Sequence, residues 1–166
     1  MKSTEMLELL REFHRDKLAM RARHVAGARY VSDYDFNNTY QYVIAREDTH
    51  VRWLEDAVLH LGGQPDQIAT PDITVHGKGA AAQAQALRGD SDAAQTFLGK
   101  WRPRLDALPN ARHRTMLNVI LGETLEHKRF FDLALAGRTD LLGRRADGAG
   151  TGGGVMSERW VGDLTK

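Results

Sequence analysis

Residues 36–63 read FNNTYQYVIAREDTHVRWLEDAVLHLGG, and the phase of this stretch decides the fold. Apolar side chains recur at helical spacing as Phe36, Tyr40 and Val43, then as Leu54, Ala57 and Leu61, until Gly62-Gly63 stops the run. Between the two apolar blocks, Glu47 and His50 fall on the same face, at positions where the period demands core residues. A buried carboxylate and a buried imidazole are costly unless a counter-charge or a metal satisfies them. The stretch therefore predicts a long helix that carries a Glu-x-x-His pair inward at its middle.

Working outward, residues from about 3 to 31 place Met6, Leu9, Phe13 and Met20 on one stripe, with Arg11, Arg15, Arg21 and Arg29 largely elsewhere. Ser32-Asp33-Tyr34-Asp35 is a short connector with capping side chains, so the first two helices must form an antiparallel hairpin. Residues 62 to about 79 hold Pro65, Pro71, Gly77 and Gly79 without a sustained period, which fits a long crossover. A third helix over roughly 80–108 keeps Ala94, Phe97, Trp101, Leu105 and Leu108 in phase despite Gly89, Gly99 and Pro103, with a kink expected near Pro103. After Pro109-Asn110 a fourth helix presents Met116, Val119, Phe130 and Leu133 and ends near Gly137 or Gly143.

The expected architecture is all-α: an antiparallel four-helix bundle over residues 1–142, with a long crossover between helices two and three. A glycine-rich linker, 143–154, and a C-terminal docking peptide, 155–166, follow it. The 166 residues, 42% hydrophobic, suffice for one core, and 23 basic against 22 acidic side chains set up no net field to recruit nucleic acid or an anionic membrane. With no cysteine, thiolate catalysis, iron–sulfur clusters and disulfides are excluded. No apolar run approaches the roughly 20 residues a membrane span needs, and the reading is of a cytoplasmic protein.

Other acids gather at the height of Glu47. Asp16 falls on the first helix's stripe, and reflection about the turn at residues 32 and 33 brings it level with residues 48–50. On the fourth helix Glu123 and Glu126 interrupt the stripe of Met116, Val119, Phe130 and Leu133, with His127 one step round. Reflection about Leu108-Pro109 sets them level with Asp90 and Asp92. Asp90 lies on the third helix's stripe, whereas Asp92 fits a spacing of 31 residues shared by Asp16 with Glu47 and Asp92 with Glu123. Both aspartates also suit a helix cap, and a Glu-x-x-His pair also arises by chance on exposed helices. His14, His24, His60 and His113 share no spacing with the acids and read as surface or interface residues.

This pattern resembles the ferritin-like diiron carboxylate superfamily, in which two helices each give one acid and two each give Glu-x-x-His. The first motif stands as Glu47-Asp48-Thr49-His50. The second reads Glu123-Thr124-Leu125-Glu126-His127, with Glu where the family has His, and both single acids here are Asp. The resemblance implies a metal site of Asp16, Glu47, His50, Asp90 or Asp92, Glu123 and Glu126 or His127. Its cofactor would be iron, as two ions, with manganese or zinc as alternatives. It implies a ferroxidase or a peroxide- or oxygen-consuming activity, an external electron donor and a homo-oligomer. The tail Trp160-Val161-Gly162-Asp163-Leu164 resembles the cargo-loading peptides of encapsulin nanocompartments, which makes Trp160, Val161, Gly162 and Leu164 the expected contacts with a shell protein. Two other readings stand beside this one: a metal-free helical interaction module whose inward acids pair with groups such as Arg23 or His24, and an oxygenase of an organic substrate.

Overall fold

The computed structural model describes residues 3–67, 70–71, 73–138 and 140–142. The linker and docking peptide expected over 143–166 lie outside the described residues. Among the described residues there are four long helices: α1 (Ser3–Gly27), α2 (Tyr34–His60), α3 (Gly79–Asp106) and α4 (Ala111–Leu135). The chain is an all-α four-helix bundle, an architecture compatible with a ferritin-like fold. No helix among the described residues is long and apolar enough to cross a membrane.

Local chemistry sets the helix ends. The Asp33 side chain accepts from the Phe36 N–H at 2.8 Å, and the Asn110 side chain accepts from the His113 N–H at 3.0 Å, so α2 and α4 each begin on a side-chain cap. Ahead of the first cap, α1 tightens into a 3₁₀ turn over Ala28–Tyr30, three residues that the periodicity assigned to the helix itself. Gly62 closes α2 with φ of +78°, a backbone angle that costs glycine little. α3 runs helically through Gly89, Gly99 and Pro103, and the burial of Ala94, Phe97, Leu98, Trp101 and Leu105 along one side holds it together.

The helices pair as two hairpins, α1 on α2 and α3 on α4, which meet chiefly through α1 against α3; α2 and α4 approach less closely. Described residues of the crossover are tied to the helices. Asp66 lies 3.6 Å from Arg11 and 3.4 Å from Arg15, and Gln85 accepts from the His76 N–H and donates to its carbonyl.

Two apolar clusters fill the interior. The larger joins Leu10, Phe13, Leu54, Val58, Phe97, Trp101, Leu117 and Ile120, and the smaller joins Phe36, Tyr40, Val43, Leu87 and Phe131. Along α2 the small cluster ends at Val43 and the large one begins at Leu54, and along α4 the gap runs from Leu121 to Phe131. Glu47, His50, Thr124 and His127, all buried, occupy that gap. The bundle thus carries a polar layer between two apolar ones.

Candidate functional site: a buried polar layer around Glu47

Helical phase builds this layer from α1, α2 and α4. On α2 the expected residues are there: Glu47 and His50 are both fully buried. On α1 the inward stripe is Met6, Leu10, Phe13, Lys17, Met20, His24 and Gly27, an unbroken alternation of four and three steps. Lys17, not Asp16, therefore points into the core. On α4 the buried stripe is Leu117, Ile120, Leu121, Thr124, His127 and Phe131, one residue round from the face expected from Met116 and Val119.

Lys17 is the centre of the layer. Its Nζ donates to Glu47 Oε1 at 2.6 Å and lies 3.4 Å from Thr124 Oγ1, which itself donates to the Ile120 carbonyl at 2.8 Å. Lys17 and Glu47 are both without exposed surface. Two imidazoles flank the carboxylate: His127 Nδ1 is 3.6 Å from Oε1 and His24 Nδ1 is 3.7 Å from Oε2. Burial pushes the Glu47 carboxyl up, but the Lys17 charge, with His24 and His127 beside it, outweighs burial and holds it well below the usual carboxylate range. Burial, reinforced by Lys17, pulls His50 down to about 4. Burial likewise keeps His127 below its ordinary value against the pull of Glu47.

The remaining acids divide into three groups. Glu123 sits at the rim of the layer, where it accepts from Arg46 Nε at 2.8 Å and Nη2 at 2.5 Å and lies 2.7 Å from His50 Nε2. Burial raises its carboxyl, yet Arg46 and His50 bring the net shift downward. Asp90 is buried about a neighbouring centre, within 2.7 Å of Arg23 Nε and hydrogen-bonded by the Tyr40 hydroxyl. Burial dominates there and leaves the Asp90 carboxyl raised despite its partners.

The third group leaves the layer. Asp16 faces α3, where it accepts from Lys100 Nζ at 2.6 Å and Trp101 Nε1 at 2.8 Å. Asp92 and Glu126 are exposed. The level drawn by reflection holds, since Lys17 meets Glu47; the error is one of azimuth, because a step of one residue turns a helix face by about 100°. The expectation that His14 and His24 lie at the surface is also corrected: both are fully buried.

Lys17 and Thr124 are thus members of the layer not among the expected site residues, and His24, expected only as a partner of the inward acids in a metal-free module, joins them. Their signals were present, as the regular stripe on α1 and as Thr124-x-x-His127, which repeats the spacing of Glu47-x-x-His50 on the facing helix.

No protein-family model and no curated protein matches the chain.

These residues do not fit a two-metal carboxylate centre. Among the described residues Glu47 is the one acid inside the Lys17 layer, and one of its oxygens already takes a hydrogen bond from an ammonium. Two divalent ions need several carboxylates to balance them, whereas Asp16, Asp92 and Glu126 are directed elsewhere. Among the described residues no three His, Asp or Glu side chains are grouped to hold a metal ion. The layer does hold donor atoms without a hydrogen-bond partner: Glu47 Oε2, both ring nitrogens of His24 and of His127, and His50 Nδ1.

Proposed function

We propose that the chain is a metal-independent helical-bundle interaction module, ferritin-like in architecture, whose polar core is neutralised by its own side chains. One observation carries this reading: Lys17 Nζ stands 2.6 Å from Glu47 Oε1 with both groups fully buried. A buried carboxylate requires a compensating cation, and the chain supplies it covalently. The other partly or wholly buried acids of the region follow the same rule, Asp90 with Arg23 and Glu123 with Arg46.

As an interaction module the protein needs partners. The tail with Trp160, Val161, Gly162 and Leu164 supports docking to an encapsulin shell, with the bundle as cargo, on its likeness to loading peptides. Tyr42, Leu59 and Val119, large apolar side chains left partly exposed on α2 and α4, support association with a second copy.

The test combines elemental analysis with retention. After reconstitution with Fe(II) and desalting, the purified protein is expected to hold no stoichiometric metal, and chelation is expected to leave its Tm unchanged. Stoichiometric iron would sink the metal-independent reading. Deleting residues 155–166 is expected to abolish co-purification with co-expressed shells, and undiminished loading would sink the cargo assignment.

A second reading, an iron-handling protein with ferroxidase or peroxide-consuming activity, draws support from the unpartnered nitrogens of His24 and His127. Oxygen uptake on adding Fe(II), lost in His127→Ala, would favour it over the first. The third, an oxygenase, needs an apolar pocket beside the layer. A cavity of about 430 Å³ does open between α2 and α4, but Trp53, Ala57, Leu61, Arg112, His113 and Met116 line it with their neighbours, and Glu47 and His127 do not.

A further inference from the structure

We infer that Lys17 keeps a cation site closed, so that the layer around Glu47 would take up a divalent ion once position 17 no longer carries an ammonium. This rests on the metal-independent reading and goes beyond it, because it assigns the exclusion of metal to a single side chain.

The ammonium lies in surroundings suited to a cation. It bonds Glu47 Oε1 at 2.6 Å and approaches Thr124 Oγ1 at 3.4 Å, while the Phe97 ring faces it with its centroid 5.3 Å away. His127 Nδ1 stands 3.6 Å from the same carboxylate oxygen that Lys17 binds. On the opposite oxygen, His24 Nδ1 stands at 3.7 Å. Neighbouring ligands of a tetrahedral ion with bonds of about 2.0–2.1 Å lie roughly 3.4 Å apart, so these separations need only small side-chain adjustments. Imidazole nitrogen with carboxylate oxygen is a donor set taken by zinc, manganese and ferrous ions.

Lysine blocks that use in two ways. Its ammonium occupies the Glu47 oxygen beside which His127 Nδ1 stands, and its charge already neutralises Glu47, so an arriving dication would find no net attraction there. Removing the charge reverses the second effect, and a shorter side chain reverses the first. Glu47 is left as an uncompensated buried carboxylate, a state that ion uptake relieves. Histidine at position 17 is shorter than lysine, leaves space for an ion and adds a nitrogen donor. Methionine keeps the length of lysine without its charge.

The experiment uses the full chain and two variants, Lys17→His and Lys17→Met, each stripped with chelator and titrated with Zn(II) and with Mn(II). Bound metal, far-ultraviolet circular dichroism and Tm are read together. At least one variant is expected to bind a single ion about tenfold or more tightly than the parent, and its Tm should rise with metal and fall back on chelation. Adding Glu47→Gln to that variant is expected to abolish uptake.

If both variants take up no more metal than the parent, whether folded at the start or refolded with metal present, the inference is overturned and the metal-independent reading survives. Uptake that persists in the Glu47→Gln double variant also overturns it, because the ion then sits elsewhere. Stoichiometric uptake by the parent itself overturns both, since Lys17 would then exclude nothing.

Discussion

Lys17 and Glu47 are spaced 30 residues apart in sequence and within one hydrogen bond in space, and each is tolerable in the core only because of the other. Lys17→Met is therefore expected to cost about 3–5 kcal/mol in denaturant unfolding, whereas Lys17→Met combined with Glu47→Met should recover most of that loss, since replacing a whole buried pair by packed apolar groups is near neutral. A double variant as unstable as the sum of the single ones would show that the pair is not coupled. The second buried centre depends on an absent side chain. A Cβ at Gly27 would stand 2.8 Å from Asp90 Oδ2 and 3.3 Å from the Tyr40 hydroxyl, both fully buried and bonded to each other. Gly27→Ala is expected to destabilise by about 1–3 kcal/mol. A Cβ at Gly89 would run into Arg23 Nη2 and stand 3.1 Å from its guanidinium carbon, and that guanidinium is held by buried Asp90, so Gly89→Ala should also destabilise by disturbing the Arg23–Asp90 pair, as a lowered unfolding midpoint would reveal.

The elements differ in how well their phase can be read. α2 has two apolar blocks that bracket its polar pair, so Glu47 and His50 are legible from sequence alone. α4 offers two stripes one residue apart, one through Met116 and Val119 and another through Leu117, Ile120 and Leu121, and local periodicity does not separate them. Packing against α3 does, leaving Val119 at 43% exposure and Ile120 at none. This choice of face has a measurable consequence: Glu126→Ala and Asp92→Ala should each alter stability by no more than about 0.5 kcal/mol, while Thr124→Glu, which would put a carboxylate beside Glu47, should be strongly destabilising. Thermal unfolding of the three variants checks it. The caps form a separate test, since Asp33→Ala and Asn110→Ala each remove the acceptor of one helix-end N–H and are expected to cost about 1 kcal/mol apiece.

Across the whole molecule, buried imidazoles make stability depend on pH. The folded protein keeps His50 neutral down to about pH 4, and His14 and His127 are also held below 6.5, burial being the leading cause in each. An unfolded chain takes up those protons near 6.5, so between the two values the unfolded state binds more protons and folding weakens as pH falls. For His50 alone the loss amounts to roughly 3 kcal/mol over that interval. Glu12, drawn down to about 2 by Arg104 and Lys100, and Glu47 add a further loss below about 4.5, because their folded-state charges must then be given up. Urea midpoints measured from pH 7.5 to pH 4 should fall continuously, and a flat profile between pH 6.5 and 5 would contradict the buried neutral imidazoles.

The amino-acid order alone determined the four helices, the two hairpins, the long crossover and the burial of Glu47 and His50, because helical periodicity, capping residues and loop composition are all encoded within a few neighbouring positions. The height of the polar layer was legible too, since equal rise along antiparallel helices converts residue number into level. Where two stripes or two spacings competed, packing settled which side chain turns inward: Lys17 over Asp16, Thr124 over Glu123, and Asp90, already on its helix's apolar stripe, over Asp92. A face changes with every single residue and is selected by long-range contacts between helices. So sequence could place charged groups at one height, and only the tertiary structure could show that the cation meeting Glu47 there is a lysine of the same chain.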